Sequence, residues 1–535
     1  MSNPNEKSNK SNAQDLTDIE SFTTDPWANA EKAPESILDT IIYPDLKGMD
    51  VMLINPDCHY RKKFLGLGLG YIATAMQRCK INVTVTDCSA WHYDDIEIGK
   101  ILIQSKVKIF GIGGMYPNFK EVERLCSLIR AVVPKATIIL GGSLPTPIPE
   151  FALRQTGADI CTIGEAEITI LNLMKALAES QSLEKVEGIA YIKDGEFFHN
   201  GNPKLPTRVT KKEVGWPALE LFPLEHYFHS PKFYPFSQFD RPLPIVTGRG
   251  CPYACNFCYR VSAYRFRDVD EVMDEMEYMI DRYKVNSFYF EDDLFMLSYQ
   301  KMKDFCEAII NRGLKIKYNC SGRVNTVNRE IARLMKESGC ISVYYGLESG
   351  SQEILDNMSK KTKLEQIYEA IRLTREQGIY CMYGFMFGEP NDTEQTMEDT
   401  VACIKKISYG EYRPQKIFGC VPFPGSGLYD WCKETGRLKD DKDFYDRYIC
   451  QDWSLDQIPV NMTQMPDEKV RQVFQNANKK LSNFYLEKMS TDWMKHFSEE
   501  KENLELPPAD PSAMKHLSSR VESDMNTADI SGRTN

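Results

Sequence analysis

From residue 50 onward, short apolar runs alternate with longer stretches in which apolar side chains recur at helical spacing. The run at 51–55 predicts a strand, followed by the turn GLGLG and a helix over 69–78. Strands follow at 83–86 and 109–112, then a helix over 121–132 and a strand at 137–140 that closes on Gly141–Gly142. A strand at 159–163 runs into GEAE, and a helix covers 168–178. Short buried strands alternating with helices indicate a parallel sheet with helices on both faces. Residues 50–180 therefore read as a doubly wound domain of ordinary size.

Residues 181–240 interrupt this rhythm. GIAYIKDGEFF predicts a hairpin turning at Asp194–Gly195, and a stretch rich in Pro and aromatic residues follows. The segment reads as the connection between two halves. A second βα series spans 241–425, with strands expected at 244–247, 287–291, 316–320, 342–347, 382–387 and 416–421. Val272, Met276, Met279, Ile280 and Tyr283 form the apolar stripe of a helix lying on that sheet. Six βα units predict an open, partial barrel rather than a closed eight-fold one, with its chemistry at the carboxyl ends of the strands. The fold class expected is α/β: a doubly wound sheet, then a partial (β/α)6 barrel and a small, mostly helical region over 426–500. In that last region Trp431, Tyr445, Tyr448 and Trp453 fit either an aromatic cap over a pocket or plain core packing.

The ends read differently. Residues 1–35 and 505–535 are rich in small polar and charged residues and poor in large apolar ones, a composition that predicts disordered tails. No apolar run reaches the roughly 18 residues that span a bilayer, and the N-terminal stretch lacks the apolar core of a signal peptide, so a cytoplasmic protein is expected. The chain of 535 residues is 42% hydrophobic and 26% charged, with a formal net charge of −11. That balance speaks against a nucleic-acid partner, despite Arg260, Arg265 and Arg267 lying close together.

The candidate chemistry lies in the cysteines. Of sixteen, most are scattered singly, as small buried hydrophobes are. GRGCPYACNFCYR is the exception, placing Cys251, Cys255 and Cys258 in a loop just after the first strand of the second series. In a reducing compartment a tight group reads as metal ligands rather than disulfides. Soft thiolates select iron–sulfur clusters, zinc or copper(I). Structural zinc and electron-transfer clusters take four ligands. Three thiolates suit a cluster with one iron left open.

The C-x-x-x-C-x-x-C loop resembles the signature of the radical S-adenosylmethionine superfamily. FYFEDDLFM, YNCSGRVN, YYGLESGSQEILDNMSKKT, FGEPNDTEQT and VPFPGSGLYDWCKETGRL resemble later superfamily segments, in order, over about 240–440. The resemblance implies that Cys251, Cys255 and Cys258 bind three irons of a [4Fe–4S] cluster while S-adenosylmethionine chelates the fourth. It implies that Phe257 packs by the adenine and that Glu348 and Ser349 contact the methionine or ribose. Arg323 would meet the carboxylate and Asp292 and Asp293 the amino group. The implied chemistry is reductive cleavage to a 5′-deoxyadenosyl radical that removes a hydrogen atom from an unactivated carbon.

The first domain resembles the cobalamin-binding domain of one branch of that superfamily, through INP, LGLGYIA, GIGGMYPN, ILGGSLPT and TIGEAEITILNLM. The resemblance implies cobalamin near Gly113, Gly141, Gly142, Gly164 and Glu165, where glycines let backbone approach a flat macrocycle. Asp57, His59 and Lys62 imitate the cobalt-ligating D-x-H-x-x-G, but Lys62 replaces the glycine, so His59 is not expected to ligate cobalt. The branch implies methylation of an unreactive carbon in a small molecule, or cyclisation or ring rearrangement as in the anaerobic porphyrin-ring cyclase. It also implies an external one-electron reductant of flavodoxin or ferredoxin type. A non-catalytic iron–sulfur or cobalamin-binding module is the reading from another class.

Overall fold

The computed structural model describes residues 43–58, 65–203, 205, 209–230, 235–260, 262–296, 298–408, 415–449 and 457–501. Both tails, His59, Lys62 and Trp453 lie outside them. Seven strands form the first sheet: β1 (Asp50–Asn55), β2 (Asn82–Asp87), β3 (Ile109–Gly113), β4 (Thr137–Gly141), β5 (Ile160–Thr162), β6 (Ile189–Lys193) and β7 (Glu196–His199). Their order is β2-β1-β3-β4-β5-β6-β7. The first five are mutually parallel, and β1, β3, β4 and β5 are buried on both sides, so their neighbouring residues feed different cores. Val51 and Leu53 join Ala73, Met76, Leu171 and Leu173 on one face. Met52 and Ile54 join Phe110, Leu125 and Ile129 on the other.

The hairpin expected in the connecting segment forms, but as part of this sheet. β6 pairs antiparallel with β5, and β7 with β6. Asp194 and Gly195 both take positive φ, 51° and 84°, as a two-residue turn between twisted strands requires. The attachment follows from burial on both faces of β6, with Ile189 and Tyr191 joining one core of the sheet and Ala190 the other.

The second sheet is built from β8 (Pro242–Ile245), with β9 (Gly248–Arg249) and β10 (Arg265–Phe266) forming a separate short ribbon beside it, and β11 (Ser287–Phe290), β12 (Lys317–Gly322), β13 (Cys340–Glu348), β14 (Tyr380–Phe387) and β15 (Phe418–Gly419). Its strands are all parallel, in the order β15-β14-β13-β12-β11-β8, so β8 and β15 stay apart and the sheet is an open half-barrel. β15 is shorter than the expected 416–421. Pro422 and Pro424 follow it and offer no N–H to a ladder. The helix Val269–Tyr283 buries Val272, Met276 and Met279, and Asp268 caps it by accepting from the amides of Asp270 and Glu271.

The long helix Asp467–Lys501 lies along Glu394–Ile407, joined to it by Lys469–Glu394 and Lys480–Glu398 ion pairs, and its Phe474 stacks on Phe387 at the end of β14. Tyr445 and Tyr448 are core residues, packed edge-on to Phe119 and Phe423 respectively. They fill the space between the first sheet and the segment after β15. Among the described residues, no helix is long and apolar enough to cross a membrane.

Beneath the ribbon, Arg267 pairs with Glu275 at 2.5 Å, both side chains only 2% exposed. Removing one partner of a buried pair strands the other charge, at about 3–5 kcal/mol. Glu275→Ala is accordingly expected to lower the denaturation midpoint markedly, while Glu275→Gln, which keeps one acceptor, loses less. Urea titrations followed by tyrosine and tryptophan fluorescence compare the two.

Candidate functional site

The cysteine loop leaves β9 and returns through β10. At its start, Gly250 has φ +76° and lies so near the returning strand that a Cβ would come within 2.5 Å of the Ala263 carbonyl and 2.6 Å of that of Ser262. Only glycine lets the two stems cross there. Asn256 anchors the middle of the loop. Its amide donates to the Met358 carbonyl at 3.2 Å, its carbonyl accepts from Leu428 at 2.9 Å, and its side-chain amide donates to Glu389 at 2.8 Å. The loop is thereby tied to the ends of β13, β14 and β15 by one residue.

Cys251 and Cys255 are half-buried and Cys258 is exposed, all three unbridged. Loss of water to the protein packed around the loop, then the neighbouring Cys255 and Cys251 thiols, pushes the surface-reaching Cys258 up to about 11. The thiols thus sit close enough to oppose each other's ionisation, an effect that bound cationic iron reverses. Among the described residues no three Cys, His, Asp or Glu side chains converge closely enough to hold one metal ion. A cluster places a separate iron under each thiolate, so a spread triplet fits it.

Cationic groups crowd the same loop. The Arg323 guanidinium lies 3.8 Å from the Cys255 sulfur, stacked 3.8 Å over the Tyr253 ring, and donates to Thr362 at 3.3 Å. Its Nε is buried without a partner. Lys360 reaches Glu348 at 2.6 Å and sits 5.6 Å over the Phe257 ring. Glu348 is held at φ +64°, a left-handed conformation that costs a non-glycine residue about 1–3 kcal/mol. It follows an irregularity in β13–β14 pairing between Gly346 and Glu348, which turns its carboxylate toward Lys360. Gly346 makes room for the pair, since a Cβ there would stand 2.5 Å from Glu348 Oε1 and 3.1 Å from Lys360 Nζ.

The other sequence candidates separate into two sets. Ser349 is buried away from the loop, its hydroxyl 3.2 Å from that of Thr400. Asp292 accepts from the amide and hydroxyl of Thr247 at 2.8 and 2.9 Å, and Asp293 accepts from the Gly250 amide at 2.8 Å. Both aspartates thus brace the entry to the cysteine loop. Gly113, Gly141, Gly142, Gly164 and Glu165 all line one cavity of about 430 Å³. Arg249, Gly250, Ser262 and Asp293 of the second half line it as well. The cavity runs on between the first sheet and its helices, past Leu53, Met76, Ile139 and Ile170. A glycine-floored opening that continues into an apolar slot fits a flat macrocycle with an appended nucleotide.

Four residues at the site escaped the sequence reading. Arg249 and Glu291 stand beside residues that the motifs emphasise, and Lys360 lies within the quoted SKKT. Asn256 sits inside the cysteine motif itself. For Arg249 and Asn256 only partners 84 and 133 residues away in sequence distinguish them. Glu291 opens onto the cavity, where the surrounding protein first and Asp292 second raise its carboxyl to about 7.

Residues 245–404 match the family described as Radical SAM superfamily, and residues 60–174 the one described as B12 binding domain. An uncharacterized methyltransferase of Pyrococcus horikoshii is 28% identical over 397 residues, 72% of this chain and 83% of that one. The anaerobic magnesium-protoporphyrin IX monomethyl ester cyclase of Cereibacter sphaeroides is 29% identical over 295 residues, 53% of this chain and 47% of that one. Among solved structures, the radical S-adenosylmethionine methyltransferase TsrM from Kitasatospora setae, with cobalamin and a [4Fe–4S] cluster bound, superposes with a TM-score of 0.60. It is 18% identical, covering 72% of this chain and 75% of that one.

Replacing Cys251, Cys255 and Cys258 together by Ala is expected to abolish iron incorporation and the broad visible absorbance of anaerobically reconstituted protein, with far-UV circular dichroism unchanged. Asn256→Ala, which cuts the side-chain ties to Glu389 and to the Asn357 carbonyl, is expected to lower the iron content without abolishing it.

Proposed function

We propose that this chain, a radical S-adenosylmethionine enzyme carrying a B12-binding domain, is a cobalamin-dependent methyltransferase acting on an unactivated carbon of a small molecule. The observation that carries this reading is the shared cavity, walled by the glycine-bearing strand ends of the first sheet and by the stem of the cysteine loop. With cluster, S-adenosylmethionine and cobalamin bound, these groups supply one-electron cleavage of the sulfonium, removal of a hydrogen atom from carbon, and delivery of a methyl group. The methyltransferase relative aligns over 83% of its own length and cyclase relatives over 47% to 70% of theirs, which favours methylation.

The chain's own residues divide the work by charge and position. Cys251, Cys255 and Cys258 hold the cluster. Arg323 and Lys360 balance its negative charge, and Arg323 also offers a buried donor to a carboxylate. The Glu348–Lys360 pair presents both signs to the amino-acid end of S-adenosylmethionine. Phe257, half-buried beneath Lys360, offers a ring face to the adenine. Gly113, Gly141, Gly142 and Gly164 leave the corrinoid its floor. A carbon-centred radical needs walls that keep water out, and both halves of the chain contribute wall to the cavity. The exposed Cys258 edge is where a flavodoxin- or ferredoxin-type reductant would approach.

Protein reconstituted anaerobically with iron, sulfide and hydroxocobalamin, then given a reductant and methyl-deuterated S-adenosylmethionine, is expected to release both 5′-deoxyadenosine and S-adenosylhomocysteine. 5′-Deoxyadenosine without S-adenosylhomocysteine would instead indicate cyclisation or rearrangement. Neither product, from protein with full iron content, overturns the reading.

Two substitutions separate the cofactors. Gly346→Ala should displace the Glu348–Lys360 pair and weaken S-adenosylmethionine binding on the order of tenfold in equilibrium dialysis, with iron content unchanged. Gly141→Leu should fill the cavity floor and abolish co-elution of cobalamin absorbance, while leaving iron and S-adenosylmethionine binding intact.

A further inference from the structure

The ribbon that closes the cysteine loop contains an electrostatic conflict. Arg249 of β9 and Arg265 of β10 stand directly opposite one another. Like charges facing across an antiparallel pair are destabilising, more so here, where both side chains are only 14% exposed. The relief comes from the other half of the molecule. Glu165, in the turn between β5 and the helix Glu167–Ala178, bonds Arg249 at 2.6 Å through one oxygen and Arg265 through the other. Glu167 takes the second arm of Arg249 at 2.7 Å. The same guanidinium lies 4.7 Å over the Tyr71 ring of the helix Leu67–Arg78. Two cations and two anions thus form one nearly buried network whose carboxylates belong to the first domain and whose guanidiniums belong to the two stems of the cysteine loop.

We propose that Glu165 is a positioning residue, a latch that closes the base of the cysteine loop only when the cobalamin-type domain is docked against it. The network spans both stems, so it fixes the loop and not merely one point on it. The crossing at Gly250 leaves no slack, because the stems already touch there. Glu165, Glu167 and Arg249 also form part of the cavity wall. Whatever fills the cavity therefore rests against the latch, and by linkage cavity occupancy and loop closure stabilise one another. This assigns Glu165 a task different from direct cofactor contact, since two guanidiniums already occupy its carboxylate. The consequence for the cofactors rests on the function proposed above; the latch itself rests on the contacts alone.

The test is hydrogen–deuterium exchange on the anaerobic, iron-loaded full chain, comparing wild type with Glu165→Gln, Glu165→Asp and the control Arg154→Gln, which breaks the exposed Arg154–Glu150 pair and a bond to the Gly195 carbonyl, both far in sequence from the cysteine loop. Glu165→Gln should speed exchange in peptides covering 248–266 by at least about tenfold, as expected for a buried charge network that loses a partner. Glu165→Asp keeps the charge but is too short to reach both arginines, and should give a smaller acceleration in the same peptides. Arg154→Gln should change nothing there. In cobalamin-loaded protein, Glu165→Gln should also weaken the relaxation enhancement of the cob(II)alamin electron-spin signal by the reduced cluster. Wild-type exchange at 248–266 in the Gln variant overturns the assignment, as does an acceleration spread evenly over both domains, which would mark plain destabilisation. Should Glu165→Gln fail to fold, wild-type exchange in Glu165→Asp is the overturning result. If wild-type protein takes up no cobalamin, the proposed function fails and the exchange data still decide the latch.

Discussion

Parallel strands deliver their carboxyl ends to one edge, and the parallel strands β1–β5 of the first sheet share a cavity at that edge with those of the second. That juxtaposition governs the rest of the structure. Each sheet alone offers half a site, with glycines at the ends of β3 and β4 and beyond β5 in one, and a thiol loop beyond β8 in the other. Bringing the edges together buries polar loop ends, and buried polar groups need partners. The Glu165–Arg249–Arg265–Glu167 network meets that need at the seam. Asp292 and Asp293 accept from Thr247 and Gly250 at the entry to the cysteine loop.

Near the thiols, local strain and charge placement work in concert. A left-handed Glu348, an irregular strand pairing and a glycine two residues earlier all aim one carboxylate at one ammonium. The strain persists because β13 is paired on both sides and has little freedom to relax elsewhere. An isolated loop could not hold such a geometry. Arg323 is constrained in a similar way, between the Tyr253 ring and the Thr362 hydroxyl.

Much of this was legible in the sequence, for identifiable reasons. Strands buried on both faces announce themselves as continuous apolar runs, and both series were readable in order. The cysteine spacing was readable because tight thiol groups are rare in reducing compartments. What escaped was mostly long-range. The hairpin 189–199 has the same local signature whether it bridges two domains or extends a sheet, and only the buried face of β5 decides. Ser349 reads as a site residue beside Glu348, yet just past the left-handed end of β13 its hydroxyl lies against that of Thr400. Tyr445 and Tyr448 could cap a pocket or fill a core, and their neighbours, Phe119 and Phe423, decide for the core.

Glu165 shows why motif position and physical role can diverge. Its place in GEAE, among cavity glycines, points toward a bound cofactor. Its carboxylate is nonetheless spent on two arginines that lie 84 and 100 residues away in sequence. No local pattern encodes that, because the need for an anion arises only when β9 pairs with β10 and sets Arg249 opposite Arg265. The ribbon creates the charge conflict and the other domain resolves it, so loop closure and domain docking are thermodynamically one event. A radical site profits from this arrangement, since the loop that carries the thiols is fully formed only where the cavity wall that must shield the reaction is already in place.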